Sequence, residues 1–172
     1  MNGFVLFVAQ GFGIGRVPKA PGTFGTILGF VLFAVMVVIT GAINRGIVPY
    51  LILLVASVFA SVWFCGRAEQ ILGVKDPGSV VLDEIVAIPV CYLPWLVSVL
   101  QQSPHHHAFV RDFFNSRVIF GTIAIFALFR LFDIWKPWPI RQFQNLPGGW
   151  GVTVDDITAA ICVALITIPF VA

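Results

Sequence analysis

Charge is scarce in this chain. Of its 172 residues only 10% are Asp, Glu, Lys or Arg, against roughly 25% in an average globular protein. The formal net charge is +2 and no basic run occurs, which excludes an electrostatically driven nucleic-acid binder. Cysteine is scarce as well. Cys65, Cys91 and Cys162 lie far apart inside apolar segments, with no CxxC spacing. Neither a zinc site nor a redox pair is indicated, and the three are read as small buried apolar residues. Histidine occurs only as His105-His106-His107, read as a solvated loop. A basic segment ahead of the first apolar stretch is also missing: Arg16 and Lys19 come after it, so no cleavable signal is expected. The stretch "GFGIG" has neither the spacing nor the preceding strand of a dinucleotide-binding turn.

Hydrocarbon is what the chain has in abundance. Hydrophobic residues make up 59% of it, and the mean hydropathy is +0.98. These values predict one integral membrane domain over residues 1–172, an all-α, polytopic helical bundle. A helix needs about 20 apolar residues to cross the hydrocarbon core. Five runs approach or meet that: Phe24 to Ile43, Ile47 to Cys65, Val80 to Leu100, Val118 to Ile134 and Val152 to Val171. The opening stretch Phe4 to Phe12 is too short to span, and is expected as an interfacial or half-inserted helix.

Lys and Arg in short loops favour the cytoplasm. With five spans, Arg16, Lys19, Arg67, Lys75, Arg130, Lys136 and Arg141 fall on one side, and Arg45, Arg111 and Arg117 on the other. The first side is therefore expected to be cytoplasmic. Asp76, Asp83, Glu84, Asp133, Asp155 and Asp156 then all fall at the cytoplasmic ends of their segments, while Asp112 lies outside. A carboxylate at the bilayer centre costs about 2.5–3.5 kcal/mol on the lenient scale. Placement near the interface lowers that cost, and a bound cation would offset much of the rest.

Four polar clusters share this face. "RVPKAPGTFGT" leads through Pro21, Gly22 and Thr23 into the first span, where free N–H groups and hydroxyls suit an anion. "KDPGSVVLDE" sets Asp83 and Glu84 about 100° apart on a helix after a turn. "FRLFDIWKPWPIRQF" spaces Arg130, Asp133 and Lys136 by three, so that neighbours share a helix face, before Pro137 and Pro139 break it. Lys136 and Arg141 there suit a phosphate, and Trp135 and Trp138 suit the interface. "LPGGWGVTVDDITAA" allows close backbone approach or a tight turn at Gly148, Gly149 and Gly151 before Asp155 and Asp156. Acids without His or Cys partners suit a hard ion, Mg²⁺ rather than Zn²⁺. The bland alternatives are helix caps, dipole-stabilised acids and interfacial anchoring. Several phosphate chemistries lack their residues here: no Cys has an Arg six positions on, and DxDx[TV], the spread His/Arg pattern of vanadium-peroxidase-like lipid phosphatases and DGxxAR are all absent.

The stretches "PKAPGTFGT", "DPGSVVLDEIV", "FRLFDIWKPWPIRQFQ" and "GGWGVTVDDITAA" resemble, in the same order and over nearly the whole chain, the phosphatidylglycerophosphatase A family. The resemblance implies a Mg²⁺-dependent enzyme of the bacterial cytoplasmic (inner) membrane, active on the cytoplasmic face. Its substrate would be phosphatidylglycerophosphate, and its products phosphatidylglycerol and phosphate. It implies metal ligation by Glu84, Asp133 and Asp156, with Asp83 and Asp155 as further ligands or as the base. Lys136 and Arg141 would neutralise the transferring phosphoryl group, and Gly22, Thr23 and Arg130 would help bind substrate. The polar clusters alone leave open another lipid phosphate, such as phosphatidic acid or a polyprenyl phosphate, a small ion or metabolite transporter, and a non-catalytic assembly subunit.

Overall fold

The computed structural model describes residues 2–43, 47–102 and 116–170. The histidine run His105–His107, Arg45, Arg111, Asp112 and the side chain of Arg117 lie outside the described residues. The described residues form helices and turns without strands: α1 (Asn2–Ala9), a kinked 3-10 segment (Gly11–Arg16), α2 (Pro21–Ile43), α3 (Val48–Leu72), α4 (Leu82–Cys91), α5 (Leu93–Gln102), α6 (Ser116–Trp135), α7 (Ile140–Phe143) and α8 (Gly149–Thr167), then a closing 3-10 turn. The expected all-α membrane bundle is the observed fold. Four segments of the described residues, Pro21–Ala42, Val48–Leu72, Leu82–Gln102 and Gly149–Phe170, are long and apolar enough to cross a membrane. The 20 residues of α6 extend about 30 Å, the thickness of the hydrocarbon core. Helix α1 has eight residues, about 12 Å at 1.5 Å each, and is too short to span.

Helix α4 is the centre. Nine of its ten residues are buried, as an apolar helix without a polar face must be. Helices α2, α3 and α8 pack around it. The third apolar run breaks between α4 and α5 because Pro94 has no N–H to return to the Val90 carbonyl. Tyr50 of α3 donates a 2.8 Å hydrogen bond to the Pro89 carbonyl of α4, and Tyr92 stacks on Phe33 of α2 with ring centroids 4.1 Å apart. Large apolar side chains such as Val38, Ile52, Phe59, Phe120 and Leu165 remain exposed on the outside, the pattern of a lipid-facing surface.

Two crossings depend on missing side chains. Along α2, Gly22, Gly25 and Gly29 turn one face toward α4, where a Cβ on Gly29 would lie 2.6 Å from Ile88. Helices α3 and α8 meet at Gly66 and Gly149; a Cβ on Gly149 would lie 1.8 Å from the Val62 carbonyl oxygen. One turn further, the hydroxyls of Ser61 and Thr153 are 3.1 Å apart. Gly149→Ala should therefore force the helices apart and lower the thermal unfolding midpoint in detergent by on the order of 5–10 °C. Gly3→Ala, which meets nothing within 4 Å, should leave it unchanged; equal midpoints for the two variants would contradict this packing.

Candidate active site

The bundle gathers its acids at one end. Asp83 and Glu84 occupy the first turn of α4, and Asp155 and Asp156 the second turn of α8. Asp133 lies near the end of α6, which runs the opposite way. Asp83, Asp155 and Asp156 are 5%, 1% and 3% exposed. The sequence reading placed these acids at the ends of their spans, and the packing of α4 against α8 turns them into the interior of that end.

Within the cluster the acids fall into two sets. Asp83, Glu84 and Asp156 each offer a carboxylate oxygen, all within 4.8 Å of one another. Asp133 and Asp155 are held by bases instead. Arg130 Nη1 donates to Asp133 Oδ2 at 2.6 Å and lies 3.7 Å from Glu84 Oε1. Lys136 Nζ donates to Asp155 Oδ2 at 2.6 Å. The Arg130–Asp133 pair is the one expected from its spacing of three. The Asp133–Lys136 pair, expected on the same ground, does not form. Helix α6 ends at Trp135, and Lys136 takes a left-handed backbone conformation, φ 45°, which sends its side chain across to α8. Burial by itself lowers the Lys136 ammonium, but the hydrogen bond and charge of Asp155, aided by Asp156 and Asp133, outweigh it. The ammonium is held above its ordinary range and stays charged at neutral pH.

Several polar atoms in this pocket have no partner. Asp83 Oδ1, Glu84 Oε2, Asp155 Oδ1 and Arg130 Nε are buried and make no hydrogen bond. Orphaned buried groups of this kind are costly and call for a ligand or ion. The donor set of the three clustered carboxylates, oxygen without nitrogen or sulfur, fits a hard divalent cation such as Mg²⁺.

Gly22, the second residue of α2, lets the start of that helix lie close against the acids. A Cβ there would lie 2.2 Å from Glu84 Oε1 and 2.9 Å from Arg130 Nη1. The sequence reading gave Gly22 and Thr23 to anion binding through backbone donors. The Thr23 N–H is already bonded to the Ala20 carbonyl at 3.0 Å, so of the two residues Gly22 is the one whose position matters most directly, by letting backbone approach the acids. Arg141 forms no ion pair with a carboxylate among the described residues. With Lys136 it lines a cavity of about 640 Å³ that also includes Trp135, Pro137, Trp138, Gln142 and Asn145.

The family model described as Phosphatidylglycerophosphatase A matches residues 7–171. A Haemophilus influenzae protein named phosphatidylglycerophosphatase A is 31% identical over 92% of this chain and 83% of its own length. An Escherichia coli protein of the same name is 29% identical over 90% of this chain and 76% of its own. A Bacteroides thetaiotaomicron protein, provisionally named a phosphatidylinositol-3-phosphatase, is 33% identical over 91% of this chain and 86% of its own. No solved structure matches the chain.

The Lys136–Asp155 pair gives a direct test of the local electrostatics. Lys136→Met leaves a carboxylate that is 2% exposed without its partner, and should destabilise the protein in detergent by about 2–3 kcal/mol. Lys136→Met combined with Asp155→Leu removes both charges and should recover more than half of that loss. Additive losses in the double variant would show that the two groups are not coupled.

Proposed function

The chain belongs to the phosphatidylglycerophosphatase A family, and from that premise we propose that it removes the terminal phosphate of phosphatidylglycerophosphate, giving phosphatidylglycerol and inorganic phosphate. The observation that carries this reading is that three clustered carboxylates, Asp83, Glu84 and Asp156, share one end of a membrane bundle with two half-buried bases, Arg130 and Lys136. Acids alone suit an ion pathway. Acids beside cations with unused donors suit a phosphate held against a divalent cation.

Asp83, Glu84 and Asp156 would hold the cation, proposed as Mg²⁺, which when bound neutralises phosphoryl charge. The remaining steps fall to the protein's own groups. Arg130, fixed by Asp133 through Nη1, has its Nε free to donate to a phosphoryl oxygen. Lys136 uses one N–H on Asp155 and has two left for the same group. Asp155, held by its Oδ2, keeps Oδ1 without a partner, and would accept a proton there from the attacking water. The water oxygen bonds to phosphorus as the bond from phosphorus to the glycerol oxygen breaks, in line, and the departing oxygen takes a proton from solvent. Preorganised cations are effective here because phosphoryl transfer depends chiefly on positioning and charge stabilisation.

The acyl chains would stay in the bilayer while the headgroup reaches this end, proposed as the cytoplasmic side with the Lys and Arg distribution in support. The observation that disfavours a transporter is that the acids gather at one end instead of spreading through the membrane depth. The rival substrates are other lipid phosphomonoesters, including phosphatidic acid, a polyprenyl phosphate and the phosphoinositide in the Bacteroides relative's name.

Purified protein in detergent should release phosphate from phosphatidylglycerophosphate faster than from these rivals, and chelation of Mg²⁺ should stop the release. No release in Mg²⁺ would overturn the reading. Asp133→Asn and Asp156→Asn should abolish turnover with the protein still in the membrane. Gly22→Ala should lower turnover by on the order of a hundredfold, because it displaces the Glu84 carboxylate from its place; wild-type rates from these variants would discard the assigned roles.

A further inference from the structure

The substrate proposed above carries two phosphates, one glycerol unit apart. The terminal one is a monoester, and the inner one is the diester that joins glycerol to the lipid. The acid cluster and its two bases account for the first. Nothing in that cluster accounts for the second, which distinguishes this headgroup from a lipid with a single phosphate.

The cavity of about 640 Å³ beside Lys136 has the chemistry for it. Lys136 belongs to both places: its Nζ is on Asp155, and the residue is part of the cavity lining. The cavity therefore opens at the edge of the cluster. Its polar lining is Arg141, Gln142 and Asn145, and among the described residues none of these side chains has a hydrogen bond or ion pair. One guanidinium can grip one phosphate by two N–H bonds, and two amides suit a hydroxyl, which both donates and accepts. Trp135 and Trp138 form the rim and are 71% and 78% exposed, as befits aromatic residues at the level of lipid headgroups. The volume suits a polar headgroup and far exceeds a single inorganic phosphate.

We infer that this cavity is the subsite for the inner phosphodiester and glycerol of the lipid headgroup, with Arg141 as the anion partner and Gln142 and Asn145 as partners of the glycerol hydroxyl. This inference rests on the substrate reading above. It moves Arg141 from the transferring phosphoryl group to the lipid side of the substrate, where it acts as a binding residue and selects headgroups that carry both phosphates.

The test uses the full chain in neutral detergent micelles with phosphatidylglycerophosphate at varied surface fraction. Phosphatidylglycerol, which has the diester but no monoester, serves as inhibitor. Oleate at equal surface charge is the control for micelle charge, and diacylglycerol the control for acyl chains. Arg141→Gln should raise KM about tenfold or more, the scale of a lost charge-assisted hydrogen bond, while kcat falls less than threefold. The concentration of phosphatidylglycerol needed for competitive inhibition should rise in parallel. Arg141→Lys, which keeps the charge but loses the fork, should fall between. A loss in kcat at unchanged KM would return Arg141 to the phosphoryl group and overturn the subsite. Inhibition by oleate as strong as by phosphatidylglycerol would also overturn it, as would inhibition insensitive to Arg141. A wild-type protein that releases no phosphate from phosphatidylglycerophosphate would overturn the substrate reading, and the subsite with it.

Discussion

The arrangement depends on the cost of burying carboxylates in a low-dielectric bundle. Asp83, Glu84, Asp133, Asp155 and Asp156 come together at one end, and Arg130 and Lys136 are the bases paired with them. Isolated buried charge is prohibitive, so such groups are paired, neutralised or bound to a cation. The two bases take Asp133 and Asp155 at 2.6 Å each. Asp83, Glu84 and Asp156 remain as a cluster, with Arg130 reaching only the Glu84 edge at 3.7 Å. In the proposed reading a divalent cation would satisfy that cluster, and a phosphate would then complete the unused donors on Arg130 and Lys136.

The fold delivers these groups by backbone contact more than by side-chain interlocking. Helix α4 carries two of the acids and is buried on nearly every side. Helices α2 and α8 reach it and α3 through glycine faces, at Gly22, Gly25 and Gly29 and at Gly149 against Gly66. Where Gly22 faces Glu84 and Arg130, the missing Cβ is itself part of the site. Close packing through small residues also supplies helix association in lipid, where no hydrophobic force draws helices together.

Much of this was legible in the sequence, for reasons particular to each part. The spans announced themselves because hydrocarbon of that length has no other use. The acids stood out because carboxylates are rare in such runs, and the common end followed from the alternation of spans. The third run was read as one span from Val80 to Leu100, and the break between α4 and α5 beside Pro94 was not foreseen. What was not legible was which acid meets which base. That choice depends on where α6 stops and on the left-handed turn at Lys136, which sends its side chain to another helix. The sequence placed Arg141 beside Lys136 by proximity along the chain, and the two line one cavity, but of the pair only Lys136 is tied to an acid of the cluster. The glycine run was read as a close approach or a tight turn, and it holds both: Gly149 meets Val62 and Gly66, while Gly148 turns at φ 55° with nothing near it; the partner Gly66 carries no local signal at all.

The central claim is that Asp83, Glu84 and Asp156 form one divalent-cation site. Manganese binding to the purified protein, followed by electron paramagnetic resonance, tests it most directly, because Mn²⁺ takes the same hard oxygen ligands as Mg²⁺ and needs no substrate or turnover. The account expects saturable binding that Mg²⁺ displaces, weakened at least tenfold by Glu84→Gln or Asp156→Asn and much less by an exposed change such as Asp76→Asn. Absence of saturable binding, or equal binding by all of these proteins, would contradict it.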